Sequence, residues 1–223
     1  MSRWSLDSLS VVGRASSVEL RLTDTQPEAI ARQLDALALP ARTRLRCILA
    51  GDGVRYGIVP WRDALSRPVQ RQLLAEQCFT DAHGEAARGW TVRQHAARWG
   101  VATLACAIDT ALLDRIDAAA QARRCTVASV QPSLMVAYNQ ARHGIAPGPH
   151  WFVEVDARWT TLLLMDGAEA VQVKRLRASA THLTALLERE WFALGMAPPL
   201  CPVVVMGSEP IANAAVVPEA VPA

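Results

Sequence analysis

The central sheet of this protein is predicted by residues Trp151 to Arg177, WFVEVDARWTTLLLMDGAEAVQVKRLR. The apolar run Phe152–Val155 and the run Thr160–Met165, which is rich in residues that suit a pleated surface, predict two strands. Asp166-Gly167 supplies the positive φ angles of a tight hairpin turn, and a third alternating segment follows it. Helical patterns stand on both sides of this sheet in sequence, so the predicted fold class is α/β.

The composition allows a large core and argues against partners that are polyanions. Of the 223 residues, 51% are hydrophobic, and the formal net charge is +2. A chain of this length can bury a real core. Nucleic acids and acidic membranes bind to surfaces with clustered basic residues, so we expect neither as a partner. Lys174 is the only lysine, which leaves one candidate for any chemistry that needs a lysine.

The five cysteines predict free, buried thiols in a reducing compartment. They are odd in number and widely spaced, without the short spacing of a zinc or redox motif. The N-terminal residues MSRWSLDSLSVVGR contain no apolar run long enough for a signal peptide, and no window approaches a membrane span. We therefore expect a cytoplasmic protein. The cysteines are Cys47, Cys78, Cys106, Cys125 and Cys201.

Two short strands are predicted at the start of the chain, at Leu9–Val12 and Val18–Leu22. The small residues 13–17 between them have the position of a phosphate-binding turn. They lack the acidic residue and second glycine that such a turn needs, so an ordinary hairpin is the favoured interpretation. A helix is predicted over Pro27–Leu39, with Thr25 as its cap.

A hairpin and a long helix are predicted next. Leu45–Ala50 and Val54–Val59 read as strands paired around Gly51-Asp52-Gly53. The helix spans Trp61–Phe79, and Pro68 implies a late start or a kink. Its predicted apolar face carries Leu65, Val69, Leu73 and Cys78.

The order of elements from Val54 to Val130 is strand, helix, strand, strand, helix, strand. This order is typical of a ferredoxin-like βαββαβ unit, and by itself it indicates no function. Asp109 is well placed to cap the second of these helices. The predicted later elements are strands at Trp90–Ala96, Val101–Ile108 and Cys125–Val130, a helix at Thr110–Arg123, a helix from Pro132, a helix ending at Gly195, and a strand at Pro202–Met206.

The search for catalytic and metal-binding patterns is negative. The five histidines are isolated, no serine sits in a nucleophile elbow, and no glycine-rich run precedes a helix with Lys-Ser or Lys-Thr. The seven tryptophans are many for this length. Trp151, Trp159 and Trp191 lie in core-like patterns, whereas Trp4, Trp61, Trp90 and Trp99 lie near element ends. Core or rim packing is the ordinary role, and an exposed subset at a protein interface is the alternative.

The second half of the chain resembles the actin-like domain of the bacterial PilM and GspL proteins. These proteins belong to type IV pilus and type II secretion assemblies. The resemblance is carried by LLDRIDAAAQARRCTVASVQPSLMVAYNQAR, Leu112–Arg142, and by WFVEVDARWTTLLLMDG, Trp151–Gly167. It implies an actin-like, ribonuclease-H-like core with an inserted ferredoxin-like βαββαβ subdomain. The implied boundaries are 1–41 and 133–210 for the core, 45–130 for the subdomain and 211–223 for a flexible tail.

The chain departs from this family at its nucleotide site. Where the family's second phosphate loop begins, Asp156 keeps the acid, but Arg158 replaces the glycine that lets backbone amides approach phosphate. Gln131 precedes Pro132 where an acid is expected, and Gly207 alone remains of a glycine-rich adenosine contact. Asp156, Arg158 and Gly207 are therefore vestigial candidates. We expect no cofactor, and ATP with Mg²⁺ is the alternative.

The resemblance implies a non-enzymatic cytoplasmic scaffold of a type IV pilus or type II secretion-like assembly. It would bind a peptide or domain of another component, and it would lie in the cytoplasm or peripherally at the inner membrane through that partner. The alternative is a nucleotide-binding ATPase of the PilM type, and a homodimer is left open. By analogy with the family, the partner is expected on the inserted subdomain or at its junction with the core. Candidate partner-binding residues are Trp61, Trp90, Trp99, Arg93 and Arg98.

Overall fold

The computed structural model describes residues 17–95, 99–156, 158–177, 182–197 and 200–207. These residues divide into two compact units, with the boundary between Gln140 and Ala141. In the first unit the elements are β1 (Ser17–Leu22), α1 (Pro27–Ala36), β2 (Arg44–Leu49), β3 (Arg55–Val59), α2 (Pro68–His83), β4 (Trp90–Gln94), β5 (Thr103–Asp109), α3 (Thr110–Ala122), β6 (Thr126–Pro132) and α4 (Ser133–Ala141).

A parallel sheet of order β1–β2–β6 organises the first unit. In the central strand β2, Leu45, Cys47 and Leu49 share one face and are fully buried, whereas the other face carries two half-buried arginines and the buried Ile48. Helix α1 makes the crossover from β1 to β2, and α3 precedes β6 and packs against it. The predicted cap of α1 at Thr25 is wrong, because Gln26 holds the N-cap position without a side-chain bond.

The predicted hairpin of Leu45–Ala50 with Val54–Val59 is also wrong. Strand β2 is bonded to β1 on one side and to β6 on the other, which leaves no free edge for β3. The amide of Ala50 donates to the carbonyl of Leu22, 2.9 Å away, and extends the parallel pairing by one residue. Gly51–Gly53 form a 3₁₀ turn, with Gly51 at φ +60°, that leads the chain into another sheet.

That other sheet has the order β3–β5–β4 and is antiparallel throughout. Helix α2 packs on it through Leu74, Ala75 and Phe79, and the ring of Phe79 lies against Gly57 on β3. The predicted late start of this helix is confirmed, because α2 begins at Pro68. The predicted apolar face is wrong, since Val69 and Leu73 are exposed. Packing on the sheet selects the face of Arg71, Leu74, Ala75 and Phe79 instead.

The predicted boundaries of the inserted unit need correction. The βαββαβ order in sequence is confirmed, but β6 pairs with β2 in the parallel sheet and not with β3, β4 or β5. The same order of elements is compatible with a ferredoxin-like sheet that includes β6 and with the observed pairing of β6 to β2, so the order alone could not decide between them. Strand β1 from residues 1–41 and strands β2 and β6, at the two ends of the predicted 45–130 unit, therefore share one parallel sheet. The antiparallel insertion runs from β3 to β5. The predicted tail, 211–223, lies outside the described residues.

The second unit contains β7 (Pro149–Val155), β8 (Thr160–Asp166), β9 (Glu169–Leu176), α5 (Leu183–Ala193) and β10 (Val203–Gly207). Its sheet has the order β10–β7–β8–β9, with β10 parallel to β7 and the other pairs antiparallel. The predicted meander is confirmed, and Gly167 has φ +56° in its turn. Helix α5 covers one face of this sheet through Leu187 and Trp191, which pack with Trp151 on β7.

Helix α5 also carries a buried carboxylate. Glu190 accepts a hydrogen bond from Lys174 Nζ at 2.6 Å and one from Arg189 Nη2 at 3.0 Å. Burial raises the pKa of Glu190, but the bonds and charges of these two cations outweigh it and hold the pKa below its ordinary value. The only lysine of the chain is therefore engaged in an ion pair that fastens β9 to α5.

Candidate functional site

The loop between β7 and β8 is closed by the side chain of Asp156. Its Oδ1 accepts hydrogen bonds from the amides of Arg158 and Trp159, both at 2.8 Å. The amide of Asp156 in turn donates to the carbonyl of Trp159 at 2.9 Å. A phosphate loop works by presenting such amides to the ligand. Here the two amides after Asp156 are already bonded within the loop, which makes Asp156 a local turn former.

The three vestigial nucleotide-site residues lie at one end of the second unit's sheet. Gly207 is opposite Val155 in the parallel register of β10 with β7, directly beside Asp156. Arg158 follows in the same loop and is exposed. Whether these residues contribute to a nucleotide site stays a prediction. The first candidate phosphate turn, residues 13–16 ahead of Ser17, lies outside the described residues.

An aromatic ring with two arginines stands beside this loop. The guanidinium carbons of Arg175 and Arg177 lie 4.4 and 4.9 Å from the ring centroid of Trp159. Contacts of this kind are cation–π interactions and stabilise the end of the sheet. The cluster provides positive charge but none of the glycine-lined backbone that a tightly held triphosphate requires. Near Asp156, the end of the sheet thus carries positive charge, and the loop amides there are already hydrogen-bonded.

Metal and thiol chemistry find no support in the described part of the chain. No cluster of three or more His, Cys, Asp or Glu residues there could hold a metal ion. The five cysteines are free. Burial, with a smaller effect of Asp117, raises the pKa of Cys47 to about 12, and burial raises that of Cys201 to about 11. Thiols with such pKa values stay protonated at neutral pH and are poor nucleophiles.

The structure separates the predicted partner-binding tryptophans into two places. Trp90 opens β4, opposite Asp109, at one end of the β3–β5–β4 sheet. Trp61 follows the end of β3, and Trp99 lies between β4 and β5, at the other end. Trp61 and Trp99 are brought together, with ring centroids 4.9 Å apart in an edge contact. Trp99 is 72% exposed, which is unusual for so large an apolar side chain.

The other predicted partner residues have different surroundings. Trp90 is half-buried, with ring centroids 6.4 Å from Phe79 and 5.0 Å from His83. Arg93 donates from Nη1 to the carbonyl of Val92 on its own strand at 2.8 Å. Arg98 lies outside the described residues. Exposed Trp99 and half-buried Trp61 are here called the tryptophan pair, and within it Trp99 presents a large aromatic surface to solvent.

A polar pocket lies at the Trp90 end of the same sheet, within the first unit. Its lining includes Thr25, Asp52, Arg55, Trp90, Asp109 and Arg115. The charged groups serve local structure: Arg55 Nη1 donates to the carbonyl of Asp52 at 2.6 Å, and Asp109 Oδ1 caps α3 by accepting from the amide of Ala111 at 2.8 Å. The cap at Asp109 confirms the prediction made for it. The pocket itself was not predicted.

No helix among the described residues is both long enough and apolar enough to cross a membrane.

Sequence comparison gives no relatives: no family model matches the chain, and no curated protein matches it either. Solved structures do match. A Bacteroides thetaiotaomicron protein with an actin-like ATPase fold and unknown function is 10% identical, with a TM-score of 0.53, over 82% of this chain and 69% of that one. A chain of the PilM–PilN type IV pilus biogenesis complex is 13% identical, with a TM-score of 0.52, over 83% of this chain and 56% of that one.

A further match has a similar extent. The cytoplasmic domain of EpsL, an inner membrane component of the type II secretion system of Vibrio cholerae, is 13% identical, with a TM-score of 0.52, over 82% of this chain and 68% of that one. The present chain thus spans little more than half of the matched chain from the pilus complex. At these identities the likeness concerns the fold, and the predicted fold class is confirmed. This chain has an actin-like fold of the kind seen in the PilM–PilN complex and in cytoplasmic EpsL.

Proposed function

We propose that the protein is a non-enzymatic component of a type IV pilus or type II secretion-like assembly. It acts at the cytoplasmic side and holds a peptide or domain of another assembly protein. The observation that carries the proposal is the tryptophan pair, in which a ring exposed to 72% rests on a second aromatic ring. Trp is the residue most enriched among the anchors of protein interfaces, because it offers a large contact area with few rotatable bonds.

The fold gives this proposal its context. Two of the matched structures come from a pilus biogenesis complex and from a component of a secretion system. Fold alone does not give function, so we infer partner binding from the surface residues of this chain. The tryptophan pair lies on the antiparallel insertion, which is where the family resemblance led us to expect the partner.

The ATPase alternative is opposed by the loop at Asp156. The amides of Arg158 and Trp159 are bonded to the Asp156 carboxylate, and a phosphate would have to displace that carboxylate to reach them. The displaced carboxylate would then stand beside the phosphate, and like charges at contact distance repel. Arg158 also brings a Cβ and a long side chain to a turn where phosphate loops use glycine.

We therefore predict that the protein does not bind ATP tightly. Isothermal calorimetry with ATP and excess Mg²⁺ should show no saturable heat at micromolar protein concentration. The contradicting result is a micromolar dissociation constant that is lost in Asp156→Ala, which would restore the ATPase interpretation. Glu188→Gln, an exposed change of one carboxylate on α5, is the control for the loss of a negative charge in the same unit.

A further inference from the structure

Beneath the tryptophan pair lies an arginine whose charge has no acidic partner. Arg71, on the first turns of α2, is only 4% exposed. Its Nη2 donates to Thr103 Oγ1 at 3.2 Å, whereas its buried Nε and Nη1 have no hydrogen-bond partner. Among the described residues, no carboxylate forms an ion pair with Arg71. Buried arginines are nearly always paired, since an unpaired buried charge is costly.

The aromatic ring of Trp61 packs over the guanidinium group of Arg71. The guanidinium carbon lies 4.7 Å from the ring centroid of Trp61, and Trp61 in turn contacts Trp99. This cation–π contact offsets part of the cost of burial, but a ring face supplies no acceptor for the two free donors. Burial accordingly lowers the pKa of Arg71. The guanidinium is held in place without its full complement of acceptors.

The polar edge of the Trp61 ring is held by an exposed hydrogen bond. Trp61 Nε1 donates to Asp63 Oδ1 at 2.7 Å, and this hydrogen bond is exposed to solvent. An exposed hydrogen bond exchanges readily with bonds to water, so it contributes little to holding the ring. We therefore expect the Trp61 side chain to move aside when a ligand reaches Arg71, while the exposed Trp99 remains a surface on which an apolar group can pack.

We propose that Arg71 recognises a carboxylate of the partner. An aspartate or glutamate of the bound segment accepts hydrogen bonds from the free guanidinium donors, and an adjacent apolar side chain packs on Trp99. A single buried cation matches a single negative charge, whereas a phosphate dianion would leave charge uncompensated. The partner segment is thus an acidic–apolar peptide. This inference rests on the proposed function, of which it specifies the ligand.

The test uses a phage-displayed library of random heptapeptides selected against the 223-residue chain. Selected peptides should share an acidic residue next to an apolar one. Replacing that residue by its amide in the synthetic peptide should weaken binding to the wild type at least about tenfold in calorimetry, since a charge-assisted hydrogen bond is lost. Arg71→Met should abolish this difference between acid and amide peptides. Arg88→Gln, which removes an arginine exposed to 72% in the same unit, should preserve it.

The other outcomes are separable. Peptides that need Trp99 but bind equally well as acid or amide, and equally to Arg71→Met, would overturn the role of Arg71 and leave the proposed function standing. No enriched peptide, or peptides insensitive to both Trp99→Ala and Arg71→Met, would contradict the peptide-binding function and this inference with it. The comparison of acid and amide peptides on the wild type remains decisive if Arg71→Met does not fold. We expect that variant to unfold at the same or a higher temperature, because it removes a buried, unpaired charge.

Discussion

Replacing Trp99 with alanine is expected to weaken partner binding by about 30-fold or more, equivalent to roughly 2 kcal/mol. The ring is 72% exposed and contacts the ring of Trp61 at its edge, so most of its surface is free for a partner. The same change should alter the free energy of unfolding by less than about 1 kcal/mol, as is usual for exposed positions. Calorimetry with a selected peptide and urea unfolding of the variant measure the two quantities.

Trp90 provides the matched control on the same sheet. Its ring packs against Phe79 and His83, so Trp90→Ala should lower the free energy of unfolding by about 2–3 kcal/mol through lost packing. The opposite result, a large loss of stability in Trp99→Ala with none in Trp90→Ala, would contradict the interface role of Trp99. It is contradicted equally if Trp99→Ala stays folded and retains full affinity for the peptide.

Replacing Glu190 with glutamine is expected to lower the free energy of unfolding at pH 7 by about 2 kcal/mol. The carboxylate is buried and accepts bonds from two cations, of which Lys174 is 44% and Arg189 67% exposed. Solvent screening at these exposed cations is the reason that the expected loss is not larger. Urea unfolding of the wild type and of Glu190→Gln gives the difference.

The same pair of proteins has a predicted pH dependence. Because the folded-state pKa of Glu190 is depressed, its contribution is present above the unfolded-state pKa of about 4.3 and is lost as the pH falls through the lower folded-state value. The gap in stability between wild type and Glu190→Gln should therefore close on acidification below about pH 4.3. Glu188→Gln, exposed and two residues away, should show no such gap. A gap that is constant with pH would refute the assignment.

Much of the fold could be predicted because local patterns agree with tertiary packing. In the meander of the second unit, apolar and polar residues alternate along a strand and the turn needs Gly167; both signals are local. The start of α2 at Pro68 and the cap of α3 at Asp109 also depend only on neighbours in sequence. For such elements the residues that decide the structure lie within a few positions of one another.

Strand partners and helix faces were predicted less well, because distant residues decide them. Strand β2 looked like half of a hairpin, and only the presence of β1 and β6 on its two edges excludes β3. The face of α2 is chosen by the antiparallel sheet beneath it, which overrides the regular spacing of Val69 and Leu73. Periodicity finds an apolar stripe but cannot say which stripe is covered.

The candidate site was only partly visible in the sequence. The sequence singled out Asp156, Arg158 and Gly207 as vestigial candidates, and an aspartate at the start of a short turn could have signalled that its side chain would bond the following amides. Arg71 carried no signal of its own. Its hydrogen-bond partner, Thr103, is 32 residues away in the chain. A charged residue within a helix is ordinarily read as solvent-exposed.

Site-specific photo-crosslinking in the native cell tests the central claim most directly. A benzophenone side chain at position 99 is expected to give a discrete covalent adduct with a protein of a pilus or secretion platform. The same group at position 192, where Phe192 is 81% exposed in the second unit, is the control and should not give that adduct. Absence of an adduct at position 99, or the same adducts at both positions, would contradict the claim that the tryptophan pair holds an assembly partner.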